Sequence, residues 1–144
     1  MKLILIELDS DNLYQEISPT ENQNLYAVRP HIYKHLAPAG SLFMQIQDSL
    51  GSVIANSETI AISAISSANY FHGYVKFLFN VSLKADTIYR LSMRSSGYNY
   101  NASAYIGWVK DWDLKKYNDS YGALTASSAL DFEAWNSKEI LRGN

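Results

Sequence analysis

The sequence feature that most constrains the fold is a regular alternation of apolar and polar side chains. In the run HGYVKFLFNVSL, which ends at Leu83, every second residue from Val75 onward is apolar. The run from Thr87 to Arg94 repeats the pattern, with Tyr89, Leu91 and Met93 on one face. Successive side chains of a β-strand point to opposite faces, so both runs predict strands with one buried face. The short turn Lys84-Ala85-Asp86 predicts that they pair as an antiparallel hairpin.

A second hairpin is predicted earlier in the chain. Leu42, Met44 and Ile46 alternate with glutamines, and the segment Asp48-Ser49-Leu50-Gly51 then supplies turn-forming residues. The return strand covers residues 52–55.

Further extended segments complete an all-β pattern. Leu25 to Val28 and His31 to Leu36 favour strands, and Pro30 between them forces a break in the pairing. The other predicted segments are a first strand in the apolar run that Glu7 interrupts, a short strand starting at Ile60, residues 103–110 and residues 128–135. About eight strands separated by turns predict an antiparallel β-sandwich, a jelly roll in fold class.

Composition fits one globular domain over residues 1–144. Apolar residues make up 47% of the chain and charged residues 18%, which argues against disorder. Residues 136–144 form a tail that carries Ile140 and Leu141, which either fold back onto the domain or dock on a neighbouring subunit.

Charge and cysteine content exclude several kinds of partner and site. The net charge is −2 and no basic run is present, so neither nucleic acid nor a membrane is predicted as a partner. The absence of cysteine excludes disulfides and thiolate metal sites. Glu7 interrupts the first apolar run, which is too short for a secretory signal, so synthesis in a cytoplasm without a signal peptide is expected.

The stretch FLFNVSLKADTIYRLSM, followed by an aromatic loop and a last strand around Asp131, resembles jelly-roll domains of the galactose-binding-like and carbohydrate-binding-module group. The resemblance covers roughly residues 40–136. Similar jelly rolls serve as structural or adhesion modules of bacteriophage particles. The missing signal sequence and cysteines, and the high content of Ser, Asn and Tyr, agree better with that second group, so location in a virion is expected.

Residues 97–121 are the candidate binding region. Along residues 104–112 both the odd-numbered and the even-numbered positions carry apolar residues, which is typical of a central strand. The tryptophans therefore either belong to the core or face a partner. The flanking tyrosines lie among Asn, Ser, Gly and Asp, a loop-like setting in which tyrosine suits sugars and protein interfaces alike. The predicted aromatic patch comprises Tyr98, Tyr100, Trp108, Trp112, Tyr117 and Tyr121. The predicted supporting polar residues are Asn99, Asn101, Asp119, Arg90 and Arg94.

The sequence signals for metal-binding and catalytic residues are weaker than those for the aromatic patch. Asp111 and Asp113 share a face of an extended segment, yet no loop supplies the 6–8 oxygen ligands that Ca²⁺ prefers, and nothing suggests a glycosidase pair. His31 and His35 in a strand would be about 13 Å apart, too far to share one ion. His72 is expected to satisfy a backbone group. No metal, cofactor or catalytic residue is therefore predicted.

These patterns predict a non-enzymatic structural or adhesion protein, a component of a bacteriophage particle that contacts other virion subunits or copies of itself as a homo-oligomer. The alternative is a module that binds glycans through the same aromatic residues.

Overall fold

The computed structural model describes residues 5–8, 13–111, 121–123, 129–130, 132–136 and 139–142. These residues form two antiparallel sheets that pack against each other, which confirms the all-β sandwich. In chain order the strands are β1 Leu5–Glu7, β2 Leu13–Pro19, β3 Gln23–His35, β4 Ser41–Asp48, β5 Val53–Asn56, β6 Ile60–Ala61, β7 Tyr70–Tyr74, β8 Phe77–Leu83, β9 Tyr89–Ser96, β10 Tyr105–Asp111, β11 Tyr121–Ala123, β12 Ala129–Leu130, β13 Phe132–Asn136 and β14 Glu139–Arg142. A 3₁₀ turn, Ile62–Ala64, follows β6. The described residues thus contain more strands than the eight expected, because β2 was not predicted, the run 72–83 divides between β7 and β8, and several further segments are only two to four residues long.

The first sheet is organised around β3, a strand of 13 residues. Its first half pairs with β8 on one side and β13 on the other, and its second half pairs with β7 and β10. The neighbours on both sides change around Pro30, which confirms the predicted break in pairing, although the strand itself continues through the proline. β1 extends the sheet beyond β10, and β14 extends it beyond β13. The chain's last strand thus folds back onto the same sheet.

The second sheet has the order β11-β2-β9-β4-β5, and β6 also pairs with β4. The predicted β4–β5 hairpin is confirmed. Its turn is held by Asp48, whose Oδ1 accepts hydrogen bonds from the N–H groups of Ser52 and Leu50, both at 2.9 Å. Those backbone donors lower the pKa of Asp48 below its ordinary value.

The predicted hairpin between residues 72–83 and 87–94 is wrong. β8 pairs with β3 in the first sheet, whereas β9 pairs with β2 and β4 in the second. The connection between them crosses from one sheet to the other, and the N–H of Asp86 donates to the carbonyl of Pro19 at 2.8 Å. Alternation identifies which face of a strand is buried, but it leaves open whether the next strand lies beside it or across the core.

The core lies between the inner faces of the two sheets. Its side chains come from both sheets, and Trp108 and Phe77 are the largest that are fully buried. Other core residues are Leu25, Ile32, Ile106, Ile17, Leu42, Met44, Ile46, Leu91 and Met93.

Two segments of backbone approach each other closely at Gly40, at one end of the sandwich. Its φ is +104°, and a Cβ there would lie 2.7 Å from backbone atoms of Ser96, Gly97 and Tyr98. We therefore expect Gly40→Ala to lower the free energy of unfolding by about 3 kcal/mol or more, through strain and overpacking together. Gly51→Ala is the matched control, since its φ is also positive but its Cβ would meet only side-chain atoms, at 3.3 Å and beyond. Gly51→Ala should lower the free energy of unfolding, measured by urea denaturation, by about 1–2 kcal/mol. Equal losses for both variants would contradict the close approach of Gly40 to the backbone of the other loop.

Candidate binding surface

Trp108 belongs to the core and not to a surface patch. It lies on β10 between β1 and β3, its side chain is 0% exposed, and it packs with Ile32 and Ile106. Of the two alternatives that the sequence left open for this residue, the structure selects burial, because β10 is a central strand with an inward face. Trp108 is therefore removed from the predicted patch.

Tyr98 is a structural residue. Its hydroxyl donates to the carbonyl of Leu8 at 2.7 Å and accepts from the N–H of Ile106 at 3.0 Å. Both of those residues are buried, so the phenol satisfies backbone groups that have no access to water.

Arg90 and Arg94 lie on the opposite side of the sandwich from the first sheet. They alternate with the buried Leu91 and Met93 on β9, so they occupy the outer face of the second sheet. There the guanidinium of Arg90 lies 4.5 Å from the ring centroid of Tyr14. The structure thus does not bring the two arginines together with Tyr100.

The other predicted residues are only partly described. Asn99 and Asn101 are exposed, and Asn101 Oδ1 accepts from the N–H of Ser103 at 2.8 Å within a turn. The backbone of Tyr121 pairs with Pro19 in the second sheet. Trp112, Asp113, Tyr117 and Asp119 lie outside the described residues, as does the side chain of Asp111.

Tyr100 adjoins an aromatic surface on the outer face of the first sheet that sequence analysis missed. Its ring centroid lies 5.9 Å from that of Tyr105, which in turn contacts rings on β3. We call this surface the histidine–tyrosine face. It consists of His31, Tyr33 and His35 on β3, Tyr70, His72 and Tyr74 on β7, and Tyr100 and Tyr105.

The alternation of strand side chains explains why these residues share one face. From Arg29 to His35 the residues of odd number on β3 are only partly buried, whereas Ile32 and Lys34 between them point inward. The antiparallel register of β3 with β7 then sets each imidazole opposite a phenol ring on the other strand, as His31 with Tyr74, Tyr33 with His72, and His35 with Tyr70.

The rings of this face stack on one another. His31 and Tyr74 lie 4.9 Å apart with 30° between their planes, and His35 and Tyr105 lie 4.8 Å apart with 17° between theirs. Such pairs add about 0.5–1.5 kcal/mol each beyond the area that they bury. Stacking covers part of the ring faces, and hydrogen bonds between His31 and His72 and between Tyr33 and His35 join some of the imidazole nitrogens and hydroxyls.

His72 contacts a side chain rather than the backbone group expected from sequence. Its Nδ1 lies 3.1 Å from His31 Nε2, so one ring donates a hydrogen bond to the other. His31 and His35 do lie in one strand and on one face, as predicted, with Tyr33 between them. Within the described residues no three His, Asp or Glu side chains come together in a way that fits a metal ion.

A partly buried ion pair borders the face. Arg29 Nε donates to Glu133 Oε1 at 2.7 Å, a second guanidinium nitrogen contacts the same oxygen, and Glu133 is only 4% exposed. The Arg29 guanidinium also lies 5.6 Å from the centroid of Tyr74. Because the carboxylate is paired across adjacent strands, its burial is compensated, and the position of Arg29 beside Tyr74 is fixed.

The sequence does contain part of the signal for this face. In HIYKH and in YFHGY, every second residue is His or Tyr, so each strand alone indicates a row of polar aromatics. That the two rows lie side by side depends on pairing between segments about 40 residues apart, which alternation does not specify.

Tyr98→Phe tests the structural role of that hydroxyl. Removing it leaves a buried carbonyl and a buried N–H without their partner, so we expect a loss of about 1–3 kcal/mol in the free energy of unfolding. Tyr100→Phe, at an exposed ring in the same loop, should stay within about 0.5 kcal/mol. Urea denaturation followed by circular dichroism measures both, and an unchanged midpoint for Tyr98→Phe would contradict the assigned hydrogen bonds.

No protein-family model, curated protein or solved structure matches this chain. The resemblance to galactose-binding-like jelly rolls therefore stays a prediction. In the described ranges, no helix has the length and apolar character needed to cross a membrane.

Proposed function

We propose that the protein is a non-enzymatic binding protein that contacts another protein subunit through the histidine–tyrosine face. The observation that carries this proposal is the concentration of three imidazoles and five phenol rings on one side of the sandwich. Aromatic residues are enriched at protein interfaces because they bury much area while keeping a polar group for hydrogen bonding.

The orientation of the rings favours a protein partner over a sugar. A sugar stacks its apolar face on an open aromatic face, but the His31–Tyr74 and His35–Tyr105 pairs cover ring faces with each other. A partner protein can contact the ring edges through the exposed residues Tyr70, His72 and Tyr74 of β7.

The setting that we propose is a bacteriophage particle, in which the protein would serve as a capsid decoration, fibre, neck or baseplate component. This part of the proposal comes from the sequence, through its composition and its resemblance to virion jelly rolls. The sandwich fold agrees with it but is shared with many unrelated proteins.

A glycan-binding module is the second candidate. The observation in its favour is the ring of Tyr70, which is 61% exposed at the end of β7. Titration with a panel of free sugars, followed by aromatic fluorescence, would give a saturable, sugar-specific change if this candidate were correct.

Peptide mass spectrometry on gradient-purified phage particles, from the source that carries this gene, tests the setting. We expect peptides of this chain in a fixed ratio to the major capsid protein, and that ratio separates shell decoration from tail parts. Absence from intact particles would overturn the virion proposal.

Substitution of the face tests the mode of contact. In the double variant Tyr70→Thr/Tyr74→Thr, two rings are lost while strand propensity is kept. Tyrosine anchors at interfaces contribute about 2 kcal/mol each, so loss of even one should reduce incorporation into particles about thirtyfold.

Tyr14→Thr is the matched control for that experiment. Tyr14 is 37% exposed, as is Tyr74, but it lies on a strand of the second sheet. It should leave incorporation unchanged. Equal incorporation of both variants and the natural protein, with native circular dichroism spectra, would show that the histidine–tyrosine face is not the contact surface.

A further inference from the structure

Lys34 is a charged residue at an inward-facing position of β3. It shares the inner face with Val28 and Ile32 and is only 4% exposed. A buried ammonium group costs several kcal/mol unless it is paired, so its surroundings require an explanation.

The partner of Lys34 within the protein is a neutral one. Its Nζ donates to the main-chain carbonyl of Ser66, and no carboxylate among the described residues pairs with it. Arg29, five residues earlier on the same strand, provides the contrast, because the buried Glu133 compensates its charge. An ammonium has three donors, so Lys34 has donor capacity beyond this one carbonyl.

Lys34 also lines a pocket of about 290 Å³. Lys34 and the fully buried Ile62 are among its buried residues, and the exposed Ser63 and Ser67 lie at its rim, with Ser66 between. Pro38 adds apolar surface. The volume is near the lower end of the range for small-molecule sites, about the size of one sugar unit.

The walls of the pocket are fixed by backbone hydrogen bonds. The N–H of Ile62 donates to the carbonyl of Gly40 at 3.0 Å, and the N–H of Leu36 donates to the carbonyl of Asn69 at 2.6 Å. These bonds join the loop after β3 to the 3₁₀ turn and to the loop before β7. A ligand therefore meets a largely preformed site and loses little affinity to ordering of the loops.

We propose that this pocket binds a small organic carboxylate of about the size of a hexuronic acid. The Lys34 ammonium is the counter-ion of the carboxylate, and the hydroxyls of Ser63 and Ser67 bind the polar groups of the ligand near the rim. An ammonium–carboxylate hydrogen bond is among the strong classes, and it supplies the negative charge that the protein itself does not place beside Lys34. This site is separate from the histidine–tyrosine face and does not depend on the function proposed for that face.

The test is a titration of the isotope-labelled protein with glucuronate, followed by amide chemical shifts. We expect saturable shifts confined to residues 34–40 and 62–69, and none with glucose, which has the same ring without the carboxylate. Acetate should give weaker shifts at the same amides, because it keeps the charge but lacks the ring. Failure of glucuronate to produce saturable shifts, or equal binding of glucose, would overturn the proposal.

Two variants assign the binding to Lys34 and to the pocket. Lys34→Met removes the charge but keeps a long apolar side chain, so it should fold and should weaken glucuronate binding by about tenfold to a hundredfold. Ser67→Tyr places a bulky side chain at the exposed rim without touching Lys34, and it should abolish binding by obstruction. Lys34→Arg keeps a cation and should retain part of the affinity. Unchanged glucuronate affinity in both Lys34→Met and Ser67→Tyr would show that the carboxylate binds elsewhere.

Discussion

The pairing of β3 on both of its edges is the constraint on which the rest of the structure depends. Four strands hydrogen-bond to this one segment, two to each half. Pro30 has no N–H to contribute, and the partners change around it, so a single residue divides the first sheet into two halves that share one backbone. Both features that we connect with function lie on the second half, between His31 and His35.

The outer face of that half of β3 is held in place by contacts among its own side chains. The outer face carries rings that are polar at their edges, and mutual stacking buries part of their apolar area without placing them in the core. Glu133, buried on the neighbouring strand, is compensated by Arg29, whose guanidinium then lies beside Tyr74. The surface is thus held by contacts among its own members and by a charge pair at its border, which keeps its side chains in place before any partner arrives.

Local signals account for the part of the fold that could be predicted from sequence. Alternation identified several of the strands, although it left out β2 and joined β7 to β8. Turn residues around Asp48 gave the β4–β5 hairpin, and the missing donor of Pro30 gave the break in pairing. Each of these depends on residues within one segment. The hairpin assigned to residues 72–94 was wrong because an apolar strand face can be buried by a neighbour or by the opposite sheet with the same pattern.

The candidate site was harder to predict for the same reason. Trp108 lies on a strand with apolar residues at both parities, so only the position of β10 between two strands decides that it is buried. The sequence alone indicates only that Tyr98 is a loop residue. Its role depends on hydrogen bonds to backbone groups of Leu8, which is distant in sequence, and of Ile106, which is buried. The histidine–tyrosine face needs the register of β3 with β7. Local composition predicted that tyrosines would be exposed, but it could not select which ones.

The position of Lys34 along β3 places its side chain on the inner face of the sheet. An inner-face position at the end of a strand is ordinarily filled by a branched apolar side chain, which would close the space beside Ile62. A lysine instead buries its aliphatic stem against the core and brings its ammonium to a cavity, where a main-chain carbonyl is its only described partner. The loop that supplies this carbonyl continues directly into Tyr70, the first residue of β7. The same few residues therefore shape the pocket and set where the exposed end of the histidine–tyrosine face begins.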